Sequence, residues 1–171
     1  MDGAPASPLI IGIDPGLRIS GWGLLRAESP PSYVACGVVR PKTGDTLEKR
    51  LLQLHIGVTQ LIETYQPDEM AIEDPFVGAV NPASALAIGQ ARAVAMLAAA
   101  QHDIAVSLYA PRQVKAAVGY GASDKEQVGA MVKMLLGLDA MPQPADASDA
   151  LAIAICHASQ RKLNALAKAA R

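Results

Sequence analysis

The stretch from Leu9 to Leu25, LIIGIDPGLRISGWGLL, leaves this chain few folds to choose from. Leu9, Ile10, Ile11 and Ile13 form a short, largely β-branched apolar run suited to a buried central strand, and Pro15 and Gly16 then supply a turn. Asp14 therefore stands where a strand leaves the core. The run after the turn returns beside the first, with Gly21 and Gly23 alternating with Trp22 and Leu24. Strand glycines often mark places where a ligand or another backbone comes close. A single aspartate at a strand end can simply cap its turn, so Asp14 acquires a functional reading only from its companions further along.

The order of elements narrows the architecture. Residues 1–8 are small, Pro-containing and aperiodic, which predicts a loose arm. Tyr33 to Val39 reads as a third strand after the Pro30–Pro31 turn, and three strands with short connections make an antiparallel meander. Leu47, Leu51, Leu54, Val58, Leu61 and Ile62 recur at helical spacing up to Tyr65, where Pro67 stops the helix. Met70 to Glu73 is a short strand that again finishes on a carboxylate. Asn81 and Pro82 are suited to cap and open a helix through Ala100. Ile104 to Tyr109 is a fifth strand and Pro111 opens a short helix to Val118. Ser123, with Glu126 three residues on, has the capping-box spacing for another helix, and a last one starts near Pro144. The order βββαβαβααα predicts an α/β domain over residues 9–160, with strands one, four and five parallel and the meander at one edge, followed by a basic tail at 161–171.

In this arrangement Asp14 and Glu73 end two strands on the edge where open α/β sheets build their sites. Asp146 and Asp149, three apart, share one face of the last helix. Four converging carboxylates repel one another unless cations sit among them. All-oxygen ligands suit Mg²⁺ or Mn²⁺, and two such ions about 4 Å apart can cleave a phosphodiester. Three of the acids also have a plain structural role open to them: a strand or turn end for Asp14 and Glu73, a charge in a helix's first turn for Asp146.

The runs IGIDPGLRISGWGLL, AIEDPF, NPASALAIGQARAVA, APRQVK and DASDALAIAICHA, in this order from about Leu9 to Ser159, together resemble the RuvC family of bacterial Holliday junction resolvases. The resemblance implies an RNase H-like fold with a mixed five-stranded sheet flanked by helices. It implies a homodimer and Mg²⁺-dependent nicking of two like-polarity strands of a four-way DNA junction, beside the RuvA and RuvB branch-migration proteins. Matched position by position, the family's catalytic, metal-holding acids fall on Asp14, Glu73, Asp146 and Asp149, with two ions per site expected. Some members carry His at the position of Asp146. The family's two DNA-contacting lysines fall on Lys115 and Lys125, although the turn between them is one residue shorter here. The family's loop aromatic near the junction centre falls on Phe76, placed to stack on a splayed base.

Charge alone does not advertise DNA, since the 171 residues carry a formal net charge of −1. Yet Arg92, Arg112 and Lys115 face only Asp103 between Phe76 and Ser123, with Lys125 following, so a local basic patch is expected to meet phosphates. No apolar run suggests a membrane span and nothing N-terminal resembles a signal peptide, so a cytoplasmic protein without a membrane is expected. Cys36 and Cys156 are expected as buried free thiols, and His157 as a surface or capping residue. The opening motif also occurs in sugar kinases and actin-like ATPases, which need a second phosphate loop and more length than this chain has. A nuclease of the same fold acting on RNA, and a noncatalytic junction-binding module, are the remaining alternatives.

Overall fold

The computed structural model describes residues 7–74, 81–119 and 125–169, with the side chains of Lys125 and Ala169 left aside. The strands are β1 (Leu9–Asp14), β2 (Ser20–Arg26), β3 (Ser32–Val39), β4 (Glu69–Glu73) and β5 (Ala105–Tyr109). The helices are α1 (Leu47–Tyr65), α2 (Pro82–Gln101), α3 (Pro111–Val118), α4 (Lys125–Leu135) and α5 (Ala145–Ala169). One sheet has the order β3-β2-β1-β4-β5, antiparallel across the meander and parallel from β1 through β4 to β5. This is the mixed α/β sheet that the element order predicts. The expected arm at 1–8 lies outside the described residues except for Ser7 and Pro8.

Strand alternation divides the core in two. Ile11, Ile13, Leu24, Met70 and Ile72 point to one face, where they pack with Val58 and Ile62 of α1 and Ala95, Ala98 and Ala99 of α2. Ile10, Leu25 and Ala71 point to the other, against Leu151, Ala152 and Ile155 of α5 and valines of α3 and α4. Asn81 caps α2, its Oδ1 accepting from the backbone N–H of Ala83 and Ser84 at 2.9 and 3.1 Å. Among the described helices α2 alone is long and apolar enough to cross a bilayer, by length and composition only. Its apolarity comes largely from alanines, and Ala91, Ala95, Ala98 and Ala99 are buried within the fold.

What most constrains the face covered by α5 is how closely that helix lies on the sheet. A Cβ placed on Gly12 would stand 2.1 Å from the carbonyl oxygen of Ala150, and one on Gly21 would stand 2.0 Å from that of Asp146. Neither position has room for any side chain, so the helix backbone rests directly on β1 and β2. The expected basic tail is a continuation of this helix: α5 runs on to Ala169, with Arg161 bonded to Glu69 at 3.0 Å and Lys162 to the Ser29 hydroxyl at 3.1 Å.

Candidate active site

Register places the first two acids. In the parallel β1–β4 pair Ile13 lies opposite Ile72, so Asp14 and Glu73, the next residues of each strand, end the two strands side by side. Both have the parity of Gly12 and Ala71, and therefore project on the α5 face. Asp14 pairs across β2 with Gly21, and Gly21 is the residue on which the backbone of Asp146 is seated. The seat thus delivers the first turn of α5 to the neighbourhood of Asp14. Asp149 follows one turn later, beside Ala150, which rests on Gly12. All four acids are half-buried.

Among the described residues no three His, Cys, Asp or Glu side chains already converge on one point. What the backbone brings to one sheet edge is the strand ends that carry Asp14 and Glu73 and the first turn of α5 that carries Asp146. The donor set fits a hard divalent cation: it is all carboxylate oxygen, on rigid strands and a helix, at a strand edge where water and a phosphate can complete the coordination. Asp14 is further steadied through its main chain, whose carbonyl accepts from the Ser20 hydroxyl at 3.1 Å. Arg50 of α1 donates to the carbonyl of Leu17 at 2.7 Å and braces the turn that follows.

The residues read as DNA-facing separate into groups. Arg112 and Lys115 are exposed on α3, which starts two residues after β5 ends, at the same end of the sheet as Asp14 and Glu73. Phe76 and the side chain of Lys125 lie outside the described residues, as does Ser123 of the expected capping box. Arg92 is engaged within the protein, its guanidinium donating to Oδ1 of Asp74. Asp74 is bonded to β5 as well, its N–H donating to the carbonyl of Tyr109 at 2.8 Å. Having the opposite strand parity to Glu73, Asp74 turns toward α2 while Glu73 turns toward α5. The opposite strand parity of Asp74 and Glu73 is the sequence signal that points to this contact.

The expectation for His157 is overturned. It is only 6% exposed, with Nδ1 2.7 Å from the Tyr109 hydroxyl and Nε2 2.5 Å from Oε2 of Glu69. The helical stripe Ala150, Ala154, His157 continues the face that lies on the sheet, which is why a polar residue here is inside. Cys156 is a buried free thiol, and burial pushes its pKa up to about 11. Cys36, expected to be buried too, is only half-buried, since β3 is an edge strand with much of its length accessible.

Residues 10–157 match the family model for crossover junction endodeoxyribonuclease RuvC. A curated relative of that description from Maricaulis maris is 52% identical over 163 residues, covering 94% of this chain and 96% of its own length. Another, from Rubrobacter xylanophilus, is 45% identical, covering 96% and 93%. Among solved structures, Thermus thermophilus RuvC in complex with a Holliday junction substrate superposes with a TM-score of 0.82 at 30% identity, covering 92% of this chain and 96% of that one. A yeast mitochondrial Holliday junction resolvase, at 16% identity and TM-score 0.61, shares the fold. With most of its length matched by the family model and by full-length relatives, the chain belongs to the RuvC family of crossover junction endodeoxyribonucleases.

Proposed function

We propose that this protein resolves four-way DNA junctions by hydrolysing one phosphodiester in each of two strands of like polarity, with Asp14, Glu73, Asp146 and Asp149 holding Mg²⁺ or Mn²⁺, two ions per site. The observation that carries the reading is the seating of Asp146 on Gly21, the cross-strand partner of Asp14, at the edge where Asp14 and Glu73 lie level. When bound, the ions would polarise the attacking water and stabilise the departing oxygen. In the overall step water's oxygen forms a bond to phosphorus, one ester P–O bond breaks, and the departing oxygen takes up a proton. The protein's share is positional. The strands fix Asp14 and Glu73, α5 fixes Asp146 and Asp149, and exposed Arg112 and Lys115 on the neighbouring helix attract the strand's phosphates. Lys125 and Phe76 are assigned to the same DNA surface, Phe76 to stack on an opened base.

Paired nicks call for two sites related by a two-fold axis, so the working form is a homodimer. In support, α2 leaves Leu86 and Leu97 more than half exposed and Met96 partly so, an apolar surface suited to a second copy. The RuvA and RuvB proteins are the partners this assignment implies, and the cytoplasm its location. Cleavage of a synthetic four-way junction, a linear duplex of the same sequence and an RNA–DNA hybrid, each with and without Mg²⁺ or Mn²⁺, tests the reading. Symmetric nicks confined to the junction and to metal-containing reactions are expected. Equal or greater cleavage of the hybrid would assign the protein to RNA instead.

A further inference from the structure

At the far end of β4 from Glu73 the structure carries a polar cluster that the chemistry does not use. Glu69 has the same strand parity as Glu73 and lies on the α5 face. Its Oε2 is 2.5 Å from Nε2 of His157, and its Oε1 accepts from Arg161 at 3.0 Å. His157 Nδ1 meets the Tyr109 hydroxyl at 2.7 Å. With Glu69 ionised, Nε2 donates to the carboxylate and Nδ1 accepts from the tyrosine, which satisfies both ring nitrogens in one tautomer.

The spacing gives this cluster a purpose. Four residues of strand separate Glu69 from Glu73, about 13 Å. Eight residues of helix separate Asp149 from His157, about 12 Å. With Asp146 seated at the level of Asp14 and Ala150 on Gly12, the helix runs antiparallel to β4, the two spans are comparable, and fixing His157 on Glu69 constrains how far Asp149 reaches toward Glu73. Apolar packing of α5 is non-directional along the helix axis, whereas hydrogen bonds from His157 and Arg161 to the one carboxylate of Glu69 accept one register.

We propose that Glu69, His157 and Arg161 are positioning residues that lock the register of α5 on β4 and thereby set the approach of Asp146 and Asp149 to Glu73. The inference rests on those acids being the metal site. Its test is direct Mn²⁺ binding, followed by electron paramagnetic resonance of the free ion in the absence of DNA, together with thermal melting. The double variant Glu69→Leu/His157→Leu replaces the buried His157 and the partly buried Glu69 with apolar groups, an exchange that can be nearly neutral for stability. Arg161, with 37% of its side chain exposed, remains solvated. This variant should melt near wild type yet bind Mn²⁺ about 10-fold more weakly, at the lower end of what loss of supporting contacts does to metal sites. His157→Gln, whose amide can still accept from Tyr109 and donate to Glu69, should bind like wild type. Wild-type affinity in the double variant, or equal weakness in His157→Gln, overturns the lock. If the double variant does not fold, His157→Leu alone is read in the same way, and unchanged Mn²⁺ affinity there also overturns it. If wild type itself binds no Mn²⁺ that Asp14→Asn removes, the metal site is wrong and the lock falls with it.

Discussion

Gly21→Ala is the smallest perturbation that reaches the site without touching an acid. The added methyl would lie 2.0 Å from the carbonyl oxygen of Asp146 and 2.6 Å from its carbonyl carbon, where real Cβ atoms keep at least 3.0 Å. The obstruction is backbone on both sides, so no rotamer relieves it. The first turn of α5 must therefore lift by about 1 Å, carrying Asp146 and Asp149 away from Asp14 and Glu73. A misplacement of that size at reacting groups can cost about 100-fold in rate. Overpacking of the seat should cost about 1 to 3 kcal/mol of stability, less than a domain of this size has to lose. The assay is single-turnover cleavage of a saturating four-way junction in Mg²⁺ at a temperature where circular dichroism shows the variant folded, with junction affinity measured alongside. The expected result is a rate about 100-fold down with affinity nearly unchanged. A folded Gly21→Ala protein that cleaves at the wild-type rate would refute the claim that this glycine seats the acid-bearing turn.

Three further outcomes are expected. Because Arg92 holds Asp74, Arg92→Ala and Asp74→Ala should slow cleavage by a similar factor, up to about 5-fold for a partly exposed pair, and the exchange Asp74→Arg/Arg92→Asp should recover part of it; loss of junction affinity in Arg92→Ala alone would instead make it a phosphate ligand. Lys115→Ala should weaken binding of every junction sequence alike and reduce the slope of log K against log salt by about 1, whereas an unchanged slope would remove Lys115 from the DNA surface. Phe76→Ala should lower cleavage of intact junctions by about 5- to 150-fold, with much of the loss recovered on junctions whose crossover is loosened by unpaired bases; equal defects on both substrates would make Phe76 a packing residue.

The parts of the fold that were legible are those where local chemistry and the global arrangement agree. The apolar runs ending at Asp14 and Glu73 sit between turn residues and became β1 and β4, and Asn81 with Pro82 became the cap and first residue of α2. The four acids were readable as candidates because two end strands and two share a helix face. Their mutual placement was not, since it depends on α5 lying against Gly12 and Gly21, a contact between segments more than 100 residues apart. Gly21 reads as a close-approach position, but nothing local says that the approaching backbone is that of Asp146.

The polar contacts were harder to read. In the linear sequence His157 only follows an apolar run, while burial on a helix follows every third or fourth residue. The partner of His157, Glu69, opens a short strand and looks like a surface acid until the strand is known to lie beneath α5. Arg92 reads from sequence only as one of several basic residues available to phosphates, because the acid it meets, Asp74, lies 18 residues earlier in the chain. Net charge and local composition record which charges exist and leave their pairing to the tertiary structure.

The most direct test of the account is to measure binding and cleavage of one four-way junction by wild type and by Asp14→Asn, side by side, in Mg²⁺. Asp14→Asn keeps the shape of the strand end and removes both a metal ligand and a negative charge that repels DNA. The account predicts that the variant binds the junction as well as wild type or better and leaves both strands uncut. Cleavage by Asp14→Asn at near the wild-type rate, with binding intact, would contradict it.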